Sequence, residues 1–164
     1  GKTLGIYYFN DNRTPVTFSE LPSHLVDALI STEDIRFYSH SGIDFKRTLG
    51  AALKFGKDGG GSTITQQLAK LLFTGEGSKD IVERLTQKFK EYIIAVRLER
   101  NYTKDEIITQ YLNLYDFGNN GDGIRSAARI YFGKEPIELD INESAILVGM
   151  LKNSSLYNLS LIHI

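Results

Sequence analysis

Glu33, Asp34, His40 and Asp44 fall within twelve residues, with Phe37 and Tyr38 between them. Carboxylates this close to an imidazole are the side chains of general acid–base chemistry, provided one is held within reach of a substrate proton. The preceding residues read as the helix that would hold it. Pro22 suits a first turn, and Leu25, Val26, Leu29 and Ile30 make one apolar stripe. Glu33 lies three residues after Ile30, four after Leu29 and seven after Val26, so a helix carries its carboxylate to the end of that face. The plain alternative is a cap or a surface acid pair.

A second chemical stretch is Gly59-Gly-Gly-Ser-Thr-Ile-Thr-Gln-Gln-Leu-Ala-Lys70. Ser62 or Thr63 can cap the helix that follows. Thr63, Gln66, Gln67 and Lys70 then share one polar face, and Ile64, Leu68, Leu71 and Leu72 take the other. A glycine-rich entry, a helix N-terminus and a lysine two turns on could cradle phosphate. No lysine precedes Ser62-Thr63, so this is not a P-loop. The third stretch is a long helix from Asp80 to Glu99. Ile81, Leu85, Phe89, Tyr92, Ile93 and Val96 form its expected buried stripe, and Arg84, Lys88 and Glu91 share a flank. The competing readings are a surface helix with a flexible lead-in and an exposed ion-pair ladder.

Other elements frame these three. Leu4–Phe9 reads as a strand and Val16–Phe18 as a short second one. Residues 43–57 carry Phe45, Leu49, Leu53 and Phe55 beside Lys46, Arg47, Lys54 and Lys57, and no acid lies between Asp44 and Asp58. Such a segment suits an anionic membrane surface or a packed helix with a solvated basic face. Thr103 and Glu106 form a capping box for a helix through Leu114. Ile124–Phe132 reads as a helix stopped by Gly133, and Asp140 starts a last apolar helix to about Leu151. The 164 residues fit one domain, with 41% hydrophobic and 24% charged residues. A net charge of -1 gives no field for nucleic acid, and the absence of cysteine excludes disulfides. No apolar run is long enough to span a bilayer. The chain starts without Met, as a piece of a longer protein would.

Together these stretches resemble the peptidoglycan glycosyltransferases, the family 51 transglycosylase domain of class A penicillin-binding proteins. Five motifs follow in the family's order. They are Glu33-Asp-x-x-Phe37-x-x-His40-x-Gly-x-Asp44, Gly60–Lys70, Lys88-x-x-Glu91 with Arg97-Leu-Glu99, Thr103–Ile107 through Tyr111-Leu-Asn113 to Tyr131–Lys134, and Leu139-x-x-x-Glu143-x-Ala145 to Tyr157-Asn158.

The resemblance implies a mainly α, lysozyme-like helical domain over residues 19–158, with a membrane-associated jaw lobe at about 43–75. Residues 1–18 would be a linker with short strands. It implies an inverting enzyme that polymerises lipid II into β-1,4-linked glycan and releases undecaprenyl diphosphate. Glu33 would be the base for the acceptor hydroxyl. Glu91 would serve the donor diphosphate, directly or through Mg2+ or Mn2+. Asp34, His40, Ser62, Thr63, Gln66, Gln67, Lys70, Arg84, Lys88 and Asn113 would bind substrate. The implied partners are lipid II, the growing glycan, a membrane surface and a transpeptidase domain in the parent chain, with no nucleic acid. The implied place is the outer face of a bacterial cytoplasmic membrane, reached by an N-terminal transmembrane anchor.

Three positions depart from the family pattern. Gln87 stands where the family usually has Arg, and Arg84 one turn earlier is the candidate substitute. Asp116 replaces an aromatic. After Tyr157-Asn158 the expected Pro is absent, so 159–164 reads as a non-native tail on a truncated fold. A lysozyme-like glycan-cleaving enzyme and a non-catalytic lipid II-binding module are the alternatives.

Overall fold

A computed structural model describes residues 13–53, 61–75 and 80–152, and these are mainly helical. The helices are α1 (Ser23–Glu33), α2 (Phe45–Leu53), α3 (Ile64–Ala69), α4 (Ile81–Asn101), α5 (Lys104–Leu114), α6 (Gly123–Phe132) and α7 (Ile141–Lys152). Among the described residues the only β pairing is an isolated bridge between Asp116 and Asp122. The expected strand at Leu4–Phe9 and the tail at 159–164 lie outside the described residues.

The core forms where α1, α3, α5, α6 and α7 meet. Leu25 and Leu29 of α1, Ile64 and Leu68 of α3, Ile107, Ile108 and Leu112 of α5, Ile124 of α6 and Leu147 of α7 are fully buried there. Local chemistry sets the ends of these helices. Thr103 accepts from the Glu106 N–H while Glu106 accepts from the Thr103 N–H, the reciprocal cap expected of that pair. Gly133 ends α6 in the left-handed conformation, with φ 66°.

Val16–Phe18 is not a strand. Val16 pairs with a side chain instead: Asn113 Oδ1 accepts from Val16 N at 2.9 Å, and Asn113 Nδ2 donates to Val16 O at 3.0 Å. Phe18 already begins a 3-10 turn that runs to Glu20.

The largest departure is α4. Its expected buried stripe points outward: Ile81, Leu85, Phe89 and Ile93 are all exposed, Phe89 at 66%. Glu91, Ala95 and Leu98 face inward instead. The reason lies at Gly42, which has φ +91° and sits against the Ala95 backbone. A Cβ on Gly42 would lie 2.8 Å from the Ala95 carbonyl carbon. Backbone therefore approaches backbone, and only a face with a small residue can turn inward there. Leu71 and Leu72 are also exposed, because α3 widens into a π-turn at Lys70–Thr74 that turns them off the helix's apolar face.

Gly42→Ala combines a disfavoured φ with an overlap that neither backbone can relieve. We expect a loss of about 2–4 kcal/mol, read by urea denaturation. A second prediction concerns Asp44. Burial alone would raise its pKa. The Arg47 N–H at 3.0 Å and the Arg36 guanidinium at 2.8 Å outweigh burial and hold it below the ordinary carboxylate value. A carboxylate with a lowered folded-state pKa stabilises fully above its unfolded value, and that stabilisation is lost as pH falls through the folded value. The stability gap between the native chain and Asp44→Asn should therefore be present at about pH 6 and shrink toward about pH 3.

Candidate active site

Glu33 is the last residue of α1 and Asp34 its C-cap, so two adjacent carboxylates leave the helix in different directions. Asp34 turns inward and is 1% exposed. It accepts from Ile64 N at 3.1 Å, at the start of α3, and its two oxygens lie 3.0 and 3.1 Å from His40 Nε2. Phe37 lies edge-on to the His40 ring, and Lys104 Nζ stands 4.3 Å from the centre of the Phe37 ring. Asp34 and His40 thus form a buried brace between the 34–40 turn and α3.

Glu33 faces a cleft of about 910 Å³. Gln67 Nε2 donates to Glu33 Oε2 at 2.9 Å. The other oxygen, Oε1, is buried and has no hydrogen-bond partner among the described residues. Gln66 lines the same cleft. Its Oε1 accepts from Thr63 N at 3.2 Å, while its Nε2 is buried without a partner. A buried acceptor and a buried donor are thus left open on one wall. Such groups cost about 1–3 kcal/mol each when unpaired, which a bound polar ligand would recover.

The cationic end of the cleft is built by the π-turn and α4. Lys70 and Lys88 line it. Lys88 Nζ donates to Ser62 Oγ at 3.0 Å and pairs with Glu91, whose side chain is buried. A smaller adjoining hollow of about 450 Å³ shares Lys70, Lys88 and Glu91 and adds Arg84 and Gln87. Gln87 and its candidate substitute Arg84 therefore open on one space.

The expected phosphate cradle at the start of α3 takes a different form. The Ile64 N–H is committed to Asp34, and the Gln66 N–H to Thr63 Oγ1 at 3.1 Å. Thr63 is fully buried, and its hydroxyl donates to Gly42 O at 2.7 Å. An anion here would meet side chains rather than these two amides, which are already capped. Nor does the donor set form a resident metal cage. Glu91 is already paired with Lys88, and no group of three or more His, Asp or Glu side chains among the described residues is placed to hold an ion.

Residues 1–162 match the family described as Transglycosylase. The chain belongs to that family. It is 43% identical over 155 residues to penicillin-binding protein 1F of Bacillus subtilis, covering 92% of this chain and 21% of that protein. It is 41% identical over 145 residues to penicillin-binding protein 2a of Streptococcus pneumoniae, covering 88% and 19%. It is 40% identical over 156 residues to penicillin-binding protein 1A of Escherichia coli, covering 92% and 18%. The chain spans about a fifth of the length of these relatives.

In this transglycosylase chain the cleft gathers Glu33, Ser62, Gln66, Gln67, Lys70, Lys88 and Glu91, with Arg84 beside it. It does not gather all the residues assigned to substrate. Asp34 and Thr63 are enclosed scaffold, His40 opens on a different hollow beside Asp44, and Asn113 clamps Val16. The cleft adds Arg47, Tyr111, Tyr115, Asp116 and Lys152, which sequence reasoning did not assign to it. Tyr111 and Lys152 sit on helices whose apolar pattern reads as core. Tyr111 did fall in the fourth motif, but its apolar surroundings read as packing, and nothing marked Lys152.

If Arg84 supplies the charge missing at Gln87, Arg84→Ala should slow turnover about tenfold and added Gln87→Arg should restore it. Unchanged turnover in Arg84→Ala would remove Arg84 from the site.

Proposed function

We propose that the chain is the glycan-polymerising domain of a larger cell-wall enzyme, a peptidoglycan glycosyltransferase acting on lipid II. The observation that carries this reading is Glu33. One carboxylate oxygen is tethered by Gln67 and the other is buried without a partner among the described residues, in the wall of the cleft that holds Lys70 and Lys88. A sugar hydroxyl is a weak nucleophile and needs such a base. In this reading Glu33 Oε1 takes the proton of the acceptor 4-hydroxyl. The acceptor oxygen forms a bond to the donor anomeric carbon, and the bond from that carbon to the diphosphate oxygen breaks. The electron pair leaves on undecaprenyl diphosphate. Attack from the face opposite the leaving group turns an α-linked donor into a β-linked product. Lys70 and Lys88 stabilise the charge that develops on the diphosphate.

Glu91 keeps Lys88 in place and limits the net positive charge of this end. A divalent cation, if one takes part, would arrive bound to the substrate diphosphate, because Glu91 is already paired with Lys88.

The lipid side of the proposal rests on exposed apolar surface. Phe45 and Leu49 on α2, Leu71, Leu72 and Phe73 on the π-turn, and Ile81, Val82, Leu85 and Phe89 on α4 all face outward. Large apolar side chains exposed in such number suit an interface, and a polyprenyl substrate supplies a membrane as its partner. No helix among the described residues is long and apolar enough to cross a membrane, so contact would be at the bilayer surface. We place the work at the outer face of the cytoplasmic membrane, with a transpeptidase domain elsewhere in the same protein.

The full-length protein, incubated with fluorescent lipid II, should give a ladder of long glycan. Glu33→Gln should lower polymer formation about 10²–10⁴-fold. Cleavage of preformed glycan by water, or lipid II bound without turnover, would overturn the reading.

A further inference from the structure

Tyr111 is fully buried on α5, yet its hydroxyl is not spent on a nearby carbonyl in the way of other tyrosines here. Tyr115 donates to Leu151 O and Tyr131 to Phe117 O, which are ordinary core bonds. The Tyr111 hydroxyl instead donates to Gln67 Oε1 at 2.8 Å, and Gln67 Nε2 donates to Glu33 Oε2 at 2.9 Å. Three side chains from three helices stand in line, ending on the carboxylate.

The two bonds fix the amide between them. A phenol that donates requires the amide oxygen, which leaves the NH2 to meet the carboxylate. If Gln67 turned over, its oxygen would face the anion of Glu33, and the phenol would lose its acceptor. We propose that Tyr111 is a positioning residue for Glu33: its hydroxyl locks the Gln67 amide in the orientation that holds Glu33 Oε2 and leaves Oε1 unpaired, as the atom to take the proton of the acceptor hydroxyl. The inference rests on Glu33 acting as the base. Burial, with the Glu33 charge nearby, pushes the Tyr111 phenol well above its ordinary range, so it keeps the proton it must donate. A small displacement of a catalytic base costs rate rather than affinity, because reacting atoms must meet within a narrow window.

The test uses the full-length protein and lipid II. Tyr111→Phe removes the hydroxyl and keeps the ring, so the melting temperature should change little. We expect kcat for polymerisation to fall about ten- to hundredfold while KM stays within about twofold. Gln67→Leu should give a comparable fall. Tyr111→Phe added to Gln67→Leu should cost nothing more, because the relay is already broken. Losses that multiply, or a Tyr111→Phe enzyme as fast as the native one, would reduce Tyr111 to packing. If Tyr111→Phe raised KM alone, the relay would also be overturned, since the hydroxyl would then serve binding. No polymer from the native protein would remove the functional reading, and the positioning role with it.

Discussion

A carboxylate buried in protein has to be paired, and Asp34 meets that requirement by drawing together parts of the chain far apart in sequence. Its oxygens take the first amide of α3 and the His40 ring. The same exchange ends α1 one residue earlier, at Glu33. Because Asp34 must turn inward, Glu33 is left at the rim, opposite the second turn of α3. Gln67 lies on that turn, so the brace that buries one acid also fixes the neighbour of the other. The cleft's geometry is in this sense a consequence of where a charge is hidden.

The cationic end depends on a different constraint, the close approach of Gly42 to Ala95. That contact selects which face of α4 turns inward. Ala95 touches the 42 turn, Glu91 one turn earlier reaches the cleft, and Lys88 follows on the same side. Ile81, Leu85, Phe89 and Ile93 of α4 are left outside. Two unlike surfaces thus belong to one helix: an ionic edge beside the cleft and a greasy edge away from it. That suits a substrate with a charged head and a hydrocarbon tail.

Much of the frame was legible in the sequence. The stripe of α1, the Thr103–Glu106 cap and the stop at Gly133 are local signals, and the structure follows them. The inversion of α4 was not legible. Periodicity marks an apolar stripe but cannot say whether it meets core or an outside partner, and the deciding contact comes from a glycine more than fifty residues away. The π-turn was hidden for a similar reason, since nothing local in Lys70–Thr74 distinguishes a widened turn from a regular one. Among candidate site residues, Gln66, Gln67 and Lys70 share one helix face and Lys88 and Glu91 another, but only the family resemblance joined these to Glu33. Asp34 and Thr63 lay beside them in sequence but are buried, and His40 opens on a different hollow, because a motif records proximity and not the direction of a side chain.

Asn113 stands in for one rung of a β-ladder, offering both an acceptor and a donor to Val16. A pull on the chain ahead of Val16 would therefore be borne by the end of α5. Two residues back on the same helix is Tyr111. Mechanical load arriving from the N-terminal side would pass along the element that steadies Gln67, so any tether in that direction would be anchored within one helical turn of the cleft's hydrogen-bonded wall.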